Sequence, residues 1–368
     1  VSASCAGILP SHHTTKIYMT ISTNLLDRLD SGAVIVAEGF LFELERRGYV
    51  SAGSYVPEVA LEYPDVLENL HRDFQRAGSD VALAFTYNGH REKMRVIGKE
   101  ELLEPLNRAA LRIARKVADA RVGDMMAGNI SNTNIWAPDD PDKQREVRAM
   151  FGEMVGWAME EGADFLVGET FYFAGEAYAA LEVMRDADVP VVVTLAPMAG
   201  NTMMDGVGIV ETCRELEARG ADVVGMNCFR GPATMLPYLA EIRAALSCPV
   251  AALPVPFRTH EKEPTIFNLS DNNRCSCPSP HGRPFPTALD PMLCNRYEIR
   301  AFAEQAWEMD IRYLGVCCGA APIHIREVAE AVGRTPEAGR FSETMQNHFM
   351  YGDNERIPDH IKALGEQA

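Results

Sequence analysis

The 368-residue chain lacks any long basic block, and its formal net charge of −17 argues against a nucleic acid or an anionic membrane as its partner. Small molecules are the expected partners instead. No apolar run reaches the ~18 residues that a membrane span needs. The opening "VSASCAGILPSHHTTKIY" has neither the basic start nor the long apolar centre of a secretory signal. The chain therefore reads as cytoplasmic, with residues 1–18 as a leader outside the fold and a first helix in the stretch "MTISTNLLDRLDSG" that starts at Met19. No Gly-x-Gly-x-x-Gly follows the first apolar run, no unit of solenoid length repeats, and no Ser, His and Asp grouping stands out. Nine cysteines, an odd number, do not suggest a disulfide framework in such a chain; they suggest packing, a metal or catalysis.

What is present is an alternation. Eight apolar runs recur: "AVIVAEG" (33–39), "DVALAFTY" (80–87), "DMMAGNIS" (124–131), "DFLVGET" (164–170), "VPVVVTLAP" (189–197), "DVVGMNCF" (222–229), "PVAALPVPF" (249–257) and "RYLGVCCG" (312–319). Between them lie segments with apolar residues at helical spacing that often stop at glycine, such as "PDVLENLHRDFQRAG" and "NRAALRIARKVADA". Eight continuously apolar strands separated by helices predict an α/β fold of the (β/α)8 barrel type, a single domain over residues 19–334. A long Pro-, Asn- and Ser-rich loop (258–291) precedes strand eight, and a polar stretch (335–368) suits a C-terminal arm.

In such a barrel the reactive groups sit at the C-terminal ends of the strands. Strand six ends at Cys228 and strand eight at Cys317 and Cys318. Three thiolates at one mouth would offer zinc its soft ligands at about 2.3 Å and leave a fourth position open. The same residues also suit small, buried core positions, and the sequence alone leaves both readings standing. Cys275 and Cys277 in "RCSC" form a loop pair without a second pair nearby; Cys213, Cys248 and Cys294 read as structural. Glu38 and Glu169 follow strands one and four, where each could hold an ammonium group or simply favour a helix dipole. Phe40, Tyr55, Tyr87, Phe171 and Tyr172 stand near the same mouth, where aromatic faces could meet a cationic methyl group. His71 and His324 lie in helical segments, and His324 is expected at the surface.

With those residues in view, the chain resembles the homocysteine S-methyltransferases, and most of all their betaine-dependent members. The likeness runs from Leu25 to Val332 and includes "GMNCF" and "NRYEIRAFAEQAWEMDIRYLGVCCGAAPIHIREVAEAV". The family's "GVNC" and "GGCCG" motifs carry its zinc ligands, which match Cys228, Cys317 and Cys318 here. The resemblance implies an enzyme with Zn2+ as cofactor that moves a methyl group from a small, betaine-like onium donor to homocysteine, giving methionine. A sulfonium donor such as S-methylmethionine or dimethylsulfoniopropionate is the alternative, and a zinc-containing barrel that binds a thiol without turnover is the non-enzyme one. Glu169 matches the strand-four acid that holds the amino end of the acceptor.

The departures bear on the donor. Where the family opens strand one with "DGG", this chain has Ala37, Glu38 and Gly39, so Glu38 with Gly39 is expected to take over there. Leu83 and Asn88 replace family residues after strand two, Thr170 replaces a tyrosine, and Tyr55 replaces a tryptophan. Tyr55, Tyr87 and Phe171 are the expected donor-site aromatics; each one lost from a cage costs about 0.5–2 kcal/mol. The tail is shorter than in animal members, so a homodimer or a monomer is expected.

Overall fold

Each of the eight apolar runs supplies one strand. The computed structural model describes residues 24–198, 200–270, 283–285 and 288–367; the expected leader (1–18) and the pair Cys275 and Cys277 lie outside the described residues. The strands are β1 (Val34–Ala37), β2 (Val81–Leu83), β3 (Met125–Ser131), β4 (Phe165–Phe171), β5 (Val191–Leu195), β6 (Val223–Asn227), β7 (Val250–Leu253) and β8 (Tyr313–Val316). All pair in parallel, in sequence order, and β1 closes on β8 with Val34 opposite Tyr313 and Ala37 opposite Val316. The single-domain (β/α)8 barrel read from the sequence is the observed fold. Every strand residue is buried, as expected where helices cover the outside and side chains fill the inside.

The helices follow from local signals. The chain begins with α1 (Leu25–Ser31), whose Asn24 cap accepts from the backbone N–H groups of Leu26 and Asp27. After β1 come α2 (Phe40–Arg46), the single turn α3 (Val59–Glu62) and α4 (Pro64–Ala77). Helix α4 starts on a proline at its first position, buries Leu67, Leu70 and Phe74 on one face, and stops at Gly78, whose φ of 118° only glycine adopts easily. Around the barrel follow α5 (Arg91–Ile97), α6 (Leu103–Ala118), α7 (Pro141–Glu160), α8 (Ala174–Arg185), α9 (Ile209–Ala218), α10 (Pro232–Ala245), α11 (Arg296–Glu308) and α12 (Pro322–Ala331). Among the described residues no helix is long and apolar enough to cross a membrane.

At the N-terminal end of the barrel, Asp80 leads into β2 and is almost wholly buried. Its carboxylate accepts from Ile35 N (2.8 Å), Arg28 Nη2 (2.7 Å) and Arg334 Nη2 (2.6 Å). One side chain therefore joins α1, β1 and the residues just beyond α12. Past Arg334 the chain runs along the surface to a last short helix, α13 (Asp359–Gly365).

Candidate metal and substrate centre

Cys228 follows β6, and Cys317 and Cys318 follow β8. Both strand ends are fixed on the exit of β7: Cys228 N donates to Leu253 O and Cys317 N to Pro254 O, each at 2.9 Å. The backbone winds left-handed at Cys228 (φ 53°) and Phe229 (φ 52°), which turns consecutive side chains into the mouth at a cost of about 1–2 kcal/mol per residue. After the second cysteine, Gly319 has φ 97°, and a Cβ there would lie 2.6 Å from the Phe257 ring. Three sulfurs thus lie within 4.8 Å of one another.

Burial and the neighbouring charges push the Cys317 thiol up, and Cys318 is raised chiefly through its contact with Cys228. Cys228 is pulled down by hydrogen bonds from those two thiols and from backbone N–H groups, so the cluster favours one thiolate flanked by two donors. A tetrahedral zinc with bonds of about 2.3 Å holds its sulfurs about 3.8 Å apart. The spacing and the softness of the donors fit that ion. A second group, Glu38, Glu169 and Cys317, is equally close, but its carboxylates are already engaged by amides.

Those amides organise the floor. Asn227 Oδ1 accepts from Thr170 N (2.9 Å), while Nδ2 lies 2.8 Å from Glu169 Oε2, 2.9 Å from Thr170 Oγ1 and 3.2 Å from Glu38 Oε2. Asn129 Nδ2 donates to Glu169 Oε1 at 2.6 Å. Burial, with the charge of Cys228, raises the Glu169 carboxyl to about 7; burial and Glu169 raise Glu38. Glu38 Oε1 and Asn129 Oδ1 are buried acceptors with no partner among the described residues. A small cavity of about 20 Å³ reaches this floor between Glu38, Asn129, Glu169 and Cys318. An arriving ammonium group would satisfy the acceptors and keep both carboxylates ionised.

Above the thiols opens a cavity of about 360 Å³ that includes Cys228 and Cys318 in its wall. Its lining is largely aromatic and continuous. Ring contacts run from Tyr172 to Phe229 (6.4 Å between centroids), Phe229 to Phe267 (4.7 Å), Phe267 to Phe285 (4.4 Å), Phe285 to Phe42 (6.4 Å) and Phe42 to Tyr55 (5.8 Å). Tyr87 also lines it, with its OH accepting from Asn132 Nδ2 at 3.4 Å, and Met198 and Met204 complete the apolar wall.

Of the residues singled out in the sequence, Cys228, Cys317 and Cys318 come together, Glu38 and Glu169 meet beneath them, and Tyr55 and Tyr87 line the upper cavity. Phe171 does not. The register of β4 on β5 shifts between Gly168 and Phe171, and Thr170 takes φ 62°, so Glu169 and Thr170 both point inward. Phe171 is thrown outward against Phe151 of α7 (6.1 Å between centroids). Gly39 lies where β1 meets the β8 turn; a Cβ there would lie 2.3 Å from Ala320 O, so the close approach requires glycine. His324, expected at the surface, is buried, and its Nδ1 accepts from Ala321 N at 3.0 Å to brace the turn after the cysteines. His71 is also buried, against Phe40 (4.4 Å).

Sequence reasoning passed over Asn129 and Asn227, and the aromatics Phe229, Phe267 and Phe285, and noted Thr170 only as a departure from the family. Asn227 is the last residue of β6 and Asn129 lies within β3, where nothing in the sequence ties either to the acids. Nothing local marks Phe267 and Phe285, which reach the site from the long loop.

Residues 35–332 match the family described as Homocysteine S-methyltransferase. The chain is 35% identical over 333 residues to betaine–homocysteine S-methyltransferase 1 of Danio rerio, covering 89% of this chain and 80% of that one. It is 32% identical over 334 residues to S-methylmethionine–homocysteine S-methyltransferase BHMT2 of Rattus norvegicus, covering 89% and 86%. In fold it is similar to the metallated form of the homocysteine methyltransferase MmuM from Escherichia coli, with a TM-score of 0.63 at 18% identity over 83% of this chain and 97% of that one.

Proposed function

The chain belongs to the homocysteine S-methyltransferase family, and we propose that it moves a methyl group from a small, betaine-like onium donor to homocysteine, giving methionine, with zinc held by Cys228, Cys317 and Cys318. The observation that carries this reading is the placing of three thiols between an acidic floor and an aromatic-walled cavity. Zinc bound there would supply a Lewis acid that keeps the acceptor's sulfur a thiolate at neutral pH.

The chain's own residues do the positioning. Glu169 and Glu38 hold the acceptor's ammonium group in the floor, and hydrogen bonds from Asn227 and Asn129 keep the carboxylates in place. Anchoring the amino end beneath the cysteines limits where the acceptor's sulfur can lie. The wall of Phe42, Tyr55, Tyr87, Tyr172, Phe229 and Phe267 presents ring faces to the donor's positive charge and excludes water. Although the sequence departs from the family at Tyr55 and Thr170, Phe42, Phe229 and Phe267 also give this cavity aromatic faces. Relatives named for betaine and for S-methylmethionine both lie close to this chain, so a sulfonium donor remains the second reading.

A reducing, cytoplasmic setting belongs to the same proposal, since all six described cysteines are free thiols. The test is methionine formation, followed by mass spectrometry, with zinc-loaded protein, homocysteine and betaine or sulfonium donors offered singly. Methionine from at least one donor is expected, and Cys317→Ala is expected to lose both the metal and more than ~99% of turnover. A metal-replete, fully active Cys317→Ala protein would overturn the assignment.

A further inference from the structure

The upper cavity poses an electrostatic problem that its aromatic wall does not solve. An onium donor is a cation, yet none of the described residues lining the cavity is acidic. Apart from the thiols, the one formally charged side chain in that lining is another cation, Lys93 of α5.

Lys93 is half-buried, and burial draws its ammonium below the usual lysine range. It makes no hydrogen bond or ion pair with any described residue, although its neighbours do. Glu92 is taken by Arg95 (2.7 Å) and Arg91 by Glu153 (2.6 Å). In a chain with a net charge of −17, a lysine at the wall of a substrate cavity that forms no ion pair, and whose acidic neighbour Glu92 is held by Arg95, points to an anion that arrives with the substrate. Asn88 and Asn134 lie in the same lining and offer neutral N–H donors to such a group, whereas Asn132 Nδ2 already donates to Thr170 O and Tyr87 OH.

We propose that Lys93 reads an anionic group on the methyl donor, so that the site selects a zwitterion with an onium methyl at the thiols and a carboxylate at Lys93. This rests on the methyl-transfer reading above and narrows it. A simple onium cation meets an uncompensated positive charge. S-Methylmethionine brings a carboxylate but also an ammonium group, so it enters with net positive charge. A trimethylammonio or dimethylsulfonio carboxylate satisfies both ends.

The test uses matched probes that differ in the carboxylate alone: dimethylsulfonioacetate against trimethylsulfonium, each with homocysteine and the zinc-loaded enzyme. The wild type is expected to prefer the zwitterion in kcat/KM by at least ~30-fold, the range of a charge-assisted contact. Lys93→Met should collapse that ratio about tenfold or more, through the KM of the zwitterion and not its kcat. Lys93→Arg should restore most of the ratio, and Lys93→Glu should turn the preference toward the cation. An unchanged ratio in Lys93→Met, or an equal loss with both donors, would overturn the inference. If the wild type makes no methionine from any donor, the methyl-transfer reading fails. Calorimetric binding of glycine betaine against tetramethylammonium then still tests Lys93: wild-type preference for glycine betaine that disappears in Lys93→Met upholds its role, and no preference refutes it.

Discussion

Glu169 shows how a single side chain is held in an uncomfortable state for a purpose. Its carboxyl sits at about 7 in the fold, against about 4.3 for an ordinary glutamate, because it is buried beside Cys228 and has no cation to face. Between those two values the native state keeps a proton that the unfolded chain releases, so stability falls as pH rises through that window. In Glu169→Gln this loss is absent. Relative to wild type, the metal-free variant should therefore gain about 2–4 kcal/mol between pH 4.5 and pH 8, measured by urea unfolding, while its KM for homocysteine rises more than tenfold. A wild type and variant whose midpoints shift in parallel with pH would show that Glu169 is ionised in the free protein. The acids and cysteines of the site were legible because their side chains have few other uses at the end of an apolar strand. Asn227 was not, since asparagine at a strand end also suits a turn, and its role depends on Glu38, Glu169 and Thr170, which lie far away in sequence.

The strands were legible as elements because a parallel barrel buries both faces of each, which leaves unbroken apolar runs. Their ends were less so. "DVALAFTY" forms a strand only over Val81–Leu83, because its last residues bend into the loop that carries Tyr87 and Asn88. Strand alternation would have placed Phe171 on the same face as Glu169; the shift in β4 and the left-handed Thr170 break that alternation, and no sequence rule for an ordinary strand foresees it. The junction of β1 with the β8 turn is tight for a different reason. Gly39→Ala would drive a methyl group into Ala320 O, 2.3 Å from the new Cβ, and push the cysteine turn away from Glu38. The expected result is a loss of about 1–3 kcal/mol in thermal or urea unfolding together with weaker zinc retention against a chelator. Unchanged stability and metal content would show that the turn can yield without cost.

Across the whole molecule, the C-terminal arm exposes three aromatic side chains close together in sequence, Phe341, Phe349 and Tyr351, at 62%, 70% and 59%. The homodimer expected from the sequence would cover them with a second copy of the chain. Sedimentation should give twice the protomer mass, and Phe349→Asp combined with Tyr351→Asp should reduce it to one; a monomeric wild type would refute this. The arm's composition was readable as polar and irregular, but which of its apolar side chains face outward depends on how it lies along the barrel. The opposite end of the barrel carries a consequence for how the protein is made. Val34 has its partner in Tyr313, and Asp80 waits for Arg334, so the first strands have no complete set of neighbours until residues 313–334 have left the ribosome. Until then the open edge of β1, and Asp80 with Arg28 but not Arg334 beside it, must be kept from wrong pairings, and the nascent chain is most exposed to aggregation just before β8 emerges.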